Sequence, residues 1–446
     1  MKPKANGQQP WASRYTRRMG VGRDIAYGVG AVALSPVWGA YLLKTGKWRT
    51  DWPGRFGRAA APAKRPGTRR LLIHAVSVGE VNATRTLVDQ LAAADPALEL
   101  VIATTTNTGF ARAASLYAEH PRVAAVVRFP FDFTWAVRRL LDAVRPDAVA
   151  LVELEVWPNF VGACARRAIP VCVVNGRLSE SSFRGYRRIR PLIAPAFAKL
   201  AAVGAQTMAY ADRFIAMGTP RERVLVLDTM KWDTARVEEP SDVEGAEALA
   251  AELGIDRDRP LIVAGSTGPG EERMLLDARP EQAQLLLVPR KPERFEEVAA
   301  LAAMRRRTRP VAGGDDADAD ADEVADVFLL DTMGELRKAY ALADVAVVGR
   351  SFNAMGGSDP IEPIALGKAT IIGPDVDNFA EVVRAFEQEG GICKTDDLPG
   401  SMRALLNDPA RRRDLAERGR GVIATRRGST RRHVEMLTRV LDAAAA

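Results

Sequence analysis

The chain has 446 residues, enough for two domains with separate cores. Its 47% hydrophobic and 27% charged content is that of a globular protein, while three scattered cysteines and three histidines exclude a disulfide framework and a histidine-rich metal centre. A net charge of +7 calls for an anionic partner, and without a nucleic-acid module or an interleaved aromatic platform the choice falls on a membrane surface or an anionic substrate rather than nucleic acid.

At the N-terminus, Lys2, Lys4, Arg14, Arg17, Arg18 and Arg23 precede the uncharged run Ile25–Leu43, and Lys44, Lys47 and Arg49 follow it. As a helix the run would extend about 28 Å, close to the hydrocarbon thickness of a bilayer. Residues 1–50 therefore read as a basic N-terminus and membrane-associated helix, either spanning or interfacial. No small-residue cleavage site follows, so a cleaved signal peptide fits poorly. The cysteine usage suits a reducing compartment, which places the body on the cytoplasmic face.

From Arg70 to about Val226, apolar runs such as Leu71–Ile73, Leu98–Thr104, Ala148–Leu154 and Val171–Val174 alternate with helical patterns such as Ala136–Val144. That alternation predicts βαβ units and a parallel sheet, whose ligands bind at the carboxyl ends of the strands. The first such end is His74-Ala75-Val76-Ser77-Val78-Gly79-Glu80, read as a strand, a glycine turn and a helix start that meet at Glu80. On its own, a Glu there also serves merely to favour a helix N-terminus through its dipole. Later ends carry Thr105 within Thr104–Gly109, then Glu153 and Glu155, then Arg177 and Ser179. If their segment stays extended, Glu153 and Glu155 face the same way and form a glycosidase-like pair; equally, one of them only fixes Arg177 or a helix end. Arg184, Arg187, Arg188 and Arg190 form either a solvated helix face or a site for lipid phosphates.

A second series of strands begins at Pro260–Gly265 and continues through Leu285–Val288, Val327–Leu330, Val345–Val348 and Ala369–Ile372. Residues 51–233 and 234–446 then form two doubly wound domains facing across a cleft, with Thr234–Arg259 as linker and helix and a helical tail from Met402 that packs back. Gly356-Gly357-Ser358-Asp359-Pro360-Ile361-Glu362 joins a strand to a helix start, where glycines admit a ligand and free N–H groups attract anions. Glu362 can bind a ribose diol. Ser266 and Thr267, Pro289 and Arg290, and Thr332, Met333, Gly334 and Glu335 follow neighbouring strands and open onto the same edge. The acidic run Gly313–Asp322 reads as a solvated loop, since its spacing does not match a calcium loop.

The ordered series HAVSVGE, TTTNTG, ELEVWPN, NGRLSESSFRGY, AQT, DRFIAMG, VPRKPERF, DTMGEL, GGSDPIEP, ALGKATIIGP and NFAE, from Arg70 to Glu381, resembles the 3-deoxy-D-manno-octulosonic acid (Kdo) transferases. The resemblance implies a GT-B fold of two Rossmann-like domains, acceptor on the first and nucleotide sugar on the second. It implies inverting transfer of Kdo from CMP-Kdo to lipid A precursor at the cytoplasmic face of the inner membrane, with no cofactor and no metal. Glu80 would be the general base. Ser77, Gly79, Thr105, Glu153, Glu155, Arg177, Ser179 and Lys231 would support the acceptor, while Asn378 of NFAE would join the donor residues. Similar proteins read GGHNPLEP where this chain has Ser358 and Asp359, and Gly-Asn where it has Asp228-Thr229. A carboxylate there needs pairing, with Lys231 or Arg350 for example. Two other readings follow from these departures: a transferase of another CMP-activated ulosonic acid, or a non-catalytic nucleotide-binding homologue. Retention of Glu80 speaks against the second.

Overall fold

The computed structural model describes residues 50–309 and 326–445. The proposed membrane helix and the acidic run Gly313–Asp322 lie outside these residues. No helix among the described residues is long and apolar enough to cross a membrane.

The chain divides into two compact units, the first running to Met230 and resuming at Gly428, the second spanning Lys231–Arg427. The crossing thus falls before Lys231, which the sequence reading had put in the first domain. The last helix, Ser429–Ala445, belongs to the first unit rather than to the second. Its buried Val434, Met436, Leu437 and Leu441 join one face of the first core, and His433 Nε2 accepts from Asn175 N at 3.0 Å.

The first unit is built on seven parallel strands: β1 Arg69–His74, β2 Leu98–Thr104, β3 Val123–Arg128, β4 Ala148–Val152, β5 Val171–Gly176, β6 Ala202–Ala205 and β7 Val224–Val226. Their order is β3-β2-β1-β4-β5-β6-β7. A parallel sheet is covered on both faces, which is why its central strands β1, β2, β4 and β5 are buried almost throughout instead of at alternate positions. Leu72, Val101, Val149 and Val173 pack on one face, while Leu71, Leu100, Ala150 and Val174 pack on the other, as the two-residue period of a strand requires.

The second unit repeats the plan with β8 Leu261–Thr267, β9 Gln284–Pro289, β10 Arg305–Arg306, β11 Val327–Leu329, β12 Val345–Val348, β13 Ala369–Ile372 and β14 Cys393–Lys394. Among the described residues the order is β10-β11-β9-β8-β12-β13-β14, again all parallel. In each sheet the strand order reverses beside the first strand, between β1 and β4 and between β8 and β12. At such a reversal the adjoining loops leave in opposite directions and open a crevice.

Candidate active site

The loops after β1 and β4 meet at the first crevice. After β1 the chain turns through Ala75–Ser77 and enters the helix Val78–Ala83. Gly79 does not make the turn: it lies inside that helix without a left-handed φ, and a Cβ there would meet only Ser77 Oγ, at 3.9 Å. Ser77-Val78-Gly79-Glu80 has the spacing of a capping box. Ser77 Oγ accepts from Glu80 N at 3.4 Å and donates to Glu80 Oε1 at 3.0 Å, while Val76 N donates to Glu80 Oε2 at 2.8 Å. The loop is pinned from β2, where Thr106 donates through N and Oγ1 to Val76 O at 3.1 and 2.9 Å. Thr105 sits beside it, partly exposed.

These contacts hold Glu80 in place without settling its charge. Partial burial pushes its carboxyl up, and Glu153 and Glu155 push the same way; the Val76 and Ser77 hydrogen bonds oppose them, and the balance is about 7. A carboxyl near neutrality is half ionised at physiological pH and suited to taking a proton from a hydroxyl.

The expectation of an extended Glu153–Glu155 segment is not met. Glu153 has a φ of +61, and the chain turns directly after β4, with Val156 N bonded to Leu154 O. Glu153 N donates to Val174 O at 3.0 Å, and its carbonyl accepts from Arg177 N at 3.3 Å, so Glu153 and Arg177 meet through backbone. Burial raises the Glu155 carboxyl, but His74 and the Trp157 indole, which donates at 2.8 Å, outweigh it and leave Glu155 below the usual carboxylate range. Ser179 caps the helix Glu180–Arg188, none of whose residues is buried, and Arg184, Arg187, Arg188 and Arg190 are exposed.

At the second crevice the loop after β8 is fixed by two glutamates that the sequence reading did not single out. Buried Glu271 accepts from four backbone N–H groups: Gly268 and Arg350 on Oε2, at 2.8 and 2.6 Å, and Ser351 and Phe352 on Oε1, at 2.9 and 3.0 Å. Glu272 takes a two-pronged contact from Arg294 and the Thr267 hydroxyl at 2.6 Å. Thr267 is fully buried and its hydroxyl faces inward to Glu272; Ser266, with a φ of +57, is 5% exposed. The signal was present as Gly270-Glu271-Glu272, a helix start with two acids.

Gly356 and Gly357 both have a φ of +78, a conformation that costs a side-chain-bearing residue energy. Gly356 N donates to Asp375 Oδ2 and its carbonyl accepts from Asn378 N. Ser358 is buried, its hydroxyl 3.4 Å from Ser266 O. The helix start expected to cradle an anion is weaker than its sequence implied. The helix Ile361–Ala365 has five residues; Asp359 Oδ1 already accepts from Ile361 N, and Pro363 has no N–H to offer. Burial raises the Asp359 carboxyl against the pull of Lys231 and Arg290. Burial and Asp359 likewise raise Glu362. Lys231 thus faces Asp359 within the second unit, its Nζ lying 4.1 Å from the Phe379 ring centre. Arg350 turns to Met355 O instead. Arg290, after β9 and Pro289, is exposed. Met333 and Gly334 are exposed, and Glu335 is held by Thr332, Lys338 and Arg307. No group of three or more potential metal ligands occurs among the described residues.

Residues 50–234 match the family model of the 3-deoxy-D-manno-octulosonic-acid transferases (kdotransferases). The chain is similar to the 3-deoxy-D-manno-octulosonic acid transferase of Bordetella pertussis, 34% identical over 88% of this chain and 92% of that one. It is also similar to that of Haemophilus influenzae, 30% identical over 91% and 94%. Among solved structures it shares its fold with a UDP-GlcNAc 2-epimerase from Neisseria meningitidis (14% identity, TM-score 0.55, 83% of this chain and 100% of that one). Anabaena HepE gives the same result (14% identity, TM-score 0.56, 83% and 99%). The two parallel-sheet units are accordingly GT-B-like, and the chain belongs to the 3-deoxy-D-manno-octulosonic acid (Kdo) transferase family of glycosyltransferases.

Proposed function

We propose that this protein transfers Kdo from CMP-Kdo to lipid A precursor in lipopolysaccharide synthesis, with Glu80 as general base. The observation that carries this reading is the Glu80 carboxyl, anchored by Ser77 and Val76 at the β1–β4 reversal yet kept near neutrality by burial and two neighbouring acids. In its ionised form Glu80 removes the proton from an acceptor hydroxyl as that oxygen attacks C2 of Kdo. CMP leaves from the opposite side, and the anomeric centre inverts. The exposed first turn at Val78 and Gly79 leaves room for a sugar against the carboxylate.

The donor is assigned to the second unit, where Arg290 and the Gly356–Glu362 turn converge on one sheet edge. Arg290 supplies positive charge to the leaving phosphate, and Glu362 binds a ribose hydroxyl. Asp359, neutral or paired with Lys231, then adds no full negative charge beside that phosphate. Residues 1–50 hold the enzyme to the cytoplasmic face of the inner membrane, beside its lipid acceptor, on the strength of their basic and apolar pattern.

The test is a purified-enzyme assay with tetraacyl lipid A precursor and a panel of CMP-activated ulosonic acids. CMP-Kdo should be consumed and Kdo-lipid formed, and Glu80→Gln should abolish transfer while leaving the circular dichroism spectrum unchanged. Near-normal turnover by Glu80→Gln would end the base assignment. Consumption of a different CMP-sugar in place of CMP-Kdo would move the donor reading to the changes at Ser358 and Asp359.

A further inference from the structure

His74 is the last residue of β1 and its side chain is wholly buried. Its ring lies flat on Phe129, with centroids 3.6 Å apart and planes 10° apart, and Phe129 in turn packs on Phe160. Nδ1 lies 3.1 Å from Ala103 O on β2. A carbonyl only accepts, so Nδ1 carries a hydrogen and donates it. The ring can therefore neither flip nor slide, and its other nitrogen has a fixed heading.

That heading is Glu155. Nε2 is buried without a hydrogen-bond partner and stands 3.7 Å from Glu155 Oε2. With Nδ1 already protonated, a neutral ring would aim a fully buried lone pair at a carboxylate that is itself only 26% exposed. Such an arrangement is costly, and a second ring proton turns it into an attraction. Glu155 also meets the Trp157 indole N–H on Oε2, Tyr186 from the helix Glu180–Arg188, whose hydroxyl burial and Glu155 both push up, and Glu80. None of these supplies a positive charge.

We propose that His74 is a positioning residue for the transfer reaction: protonated on both nitrogens, it ion-pairs with Glu155 and so sets the negative field in which Glu80 works. The inference rests on the reading of Glu80 as the base. His74 touches no substrate. It acts by holding Glu155 ionised and in place while cancelling part of its charge, so that Glu80 is kept basic enough to take a proton without being protonated outright at neutral pH.

The test combines pH profiles of kcat/KM with a direct view of the ring. Loss of the counter-ion in His74→Gln leaves Glu155 uncompensated and should move the acid limb to higher pH, by about 0.5–1 unit. Removing the charge itself in Glu155→Gln should move the limb to lower pH by a similar amount, and the double variant should follow Glu155→Gln. A purely structural role for His74 moves no limb, or moves both single variants the same way, and either result overturns the proposal. Because His74→Gln opens a packed site and can fail to fold, the ring is also read in the unaltered protein. The chain has three histidines, so a ¹⁵N-histidine label gives few signals. The signal assigned to His74 should be that of an imidazolium at pH 7.5, and a ring with Nε2 unprotonated overturns the proposal. Glu80→Gln separates the two readings. If it is inactive and the limbs do not move, only the His74 role falls; if it remains active, the base assignment falls first.

Discussion

The two sheets share a reversal of strand order beside their first strand and treat their carboxylates in opposite ways. At the β8–β12 reversal Glu271 receives four backbone N–H groups and Glu272 receives Arg294 and Thr267. At the β1–β4 reversal Glu80 receives two hydrogen bonds and faces two further acids. A carboxylate with a full set of donors is a strut, since a proton on either oxygen would displace the bonds that oxygen accepts. One with half a set, partly desolvated and beside like charges, is free to exchange a proton. Topology supplies the crevice in both units, and the count of donors decides what the acid does there.

The comparison can be broken at either carboxylate. The largest expected effect is on the first unit: Glu80→Gln should lower kcat by about 10²- to 10⁴-fold, the usual contribution of a general base, with donor affinity by calorimetry unchanged. Glu271→Ala should act on stability instead. It orphans four N–H groups, two of them buried and two partly so, and a loss of about 3–5 kcal/mol is expected in urea unfolding. A stable, donor-binding Glu271→Ala protein would show that the loops hold without their strut. Smaller effects come from glycine. Gly356→Ala forces a side chain into a φ of +78 and against the Asn378 amide, and should cost about 1–3 kcal/mol and raise the donor KM. Gly79→Ala meets no such strain and should be neutral or stabilising by about 0.5–1 kcal/mol. Any loss there should appear in the acceptor KM, as expected of a glycine kept to leave room for a sugar.

Much of this was legible in the chain because parallel strands are buried on both faces. Leu98–Thr104, Val345–Val348 and Ala369–Ile372 were read with the observed bounds, as largely apolar runs. Strands that depart from that rule were missed. Half-exposed β3 and edge strand β7 are not buried throughout, four-residue β6 is interrupted by a glycine, and β10 has two residues. At the site, the position of Glu80 after β1 was legible, but its supports were not. Val76 contributes through its backbone N–H, which any residue but proline would have supplied. Gly79 was taken for the turn because glycine commonly marks one, whereas the turn here is made by Ala75–Ser77. The extended reading of Glu153–Glu155 failed because the backbone turns at Glu153 in a left-handed conformation that a glutamate seldom adopts, so nothing in the sequence announces it. Lys231 fell in the wrong unit because the crossing there has no proline, glycine or change of composition to mark it.

The pH dependence of stability most sharpens the contrast between the two acids. Glu80 has a folded-state value of about 7, above the ordinary carboxylate value it regains on unfolding, so the folded protein holds the proton more tightly. Stability then falls as pH rises between about 4.5 and 7, because ionising the partly buried carboxyl costs more in the folded state than in the unfolded one. The glutamine of Glu80→Gln cannot ionise, and it keeps an oxygen that can accept from Val76 or Ser77. The variant should match the parent protein near pH 4.5 and exceed it at pH 8 by about 1–2 kcal/mol, a figure already reduced for partial exposure. Urea unfolding at the two pH values measures the difference. An inactive variant that is more stable only where Glu80 is ionised would mean that the first unit gives up stability to keep its base. If Glu80→Gln is less stable than the parent at pH 8, the capping bonds to Val76 and Ser77 outweigh the charge, and Glu80 is a strut after all.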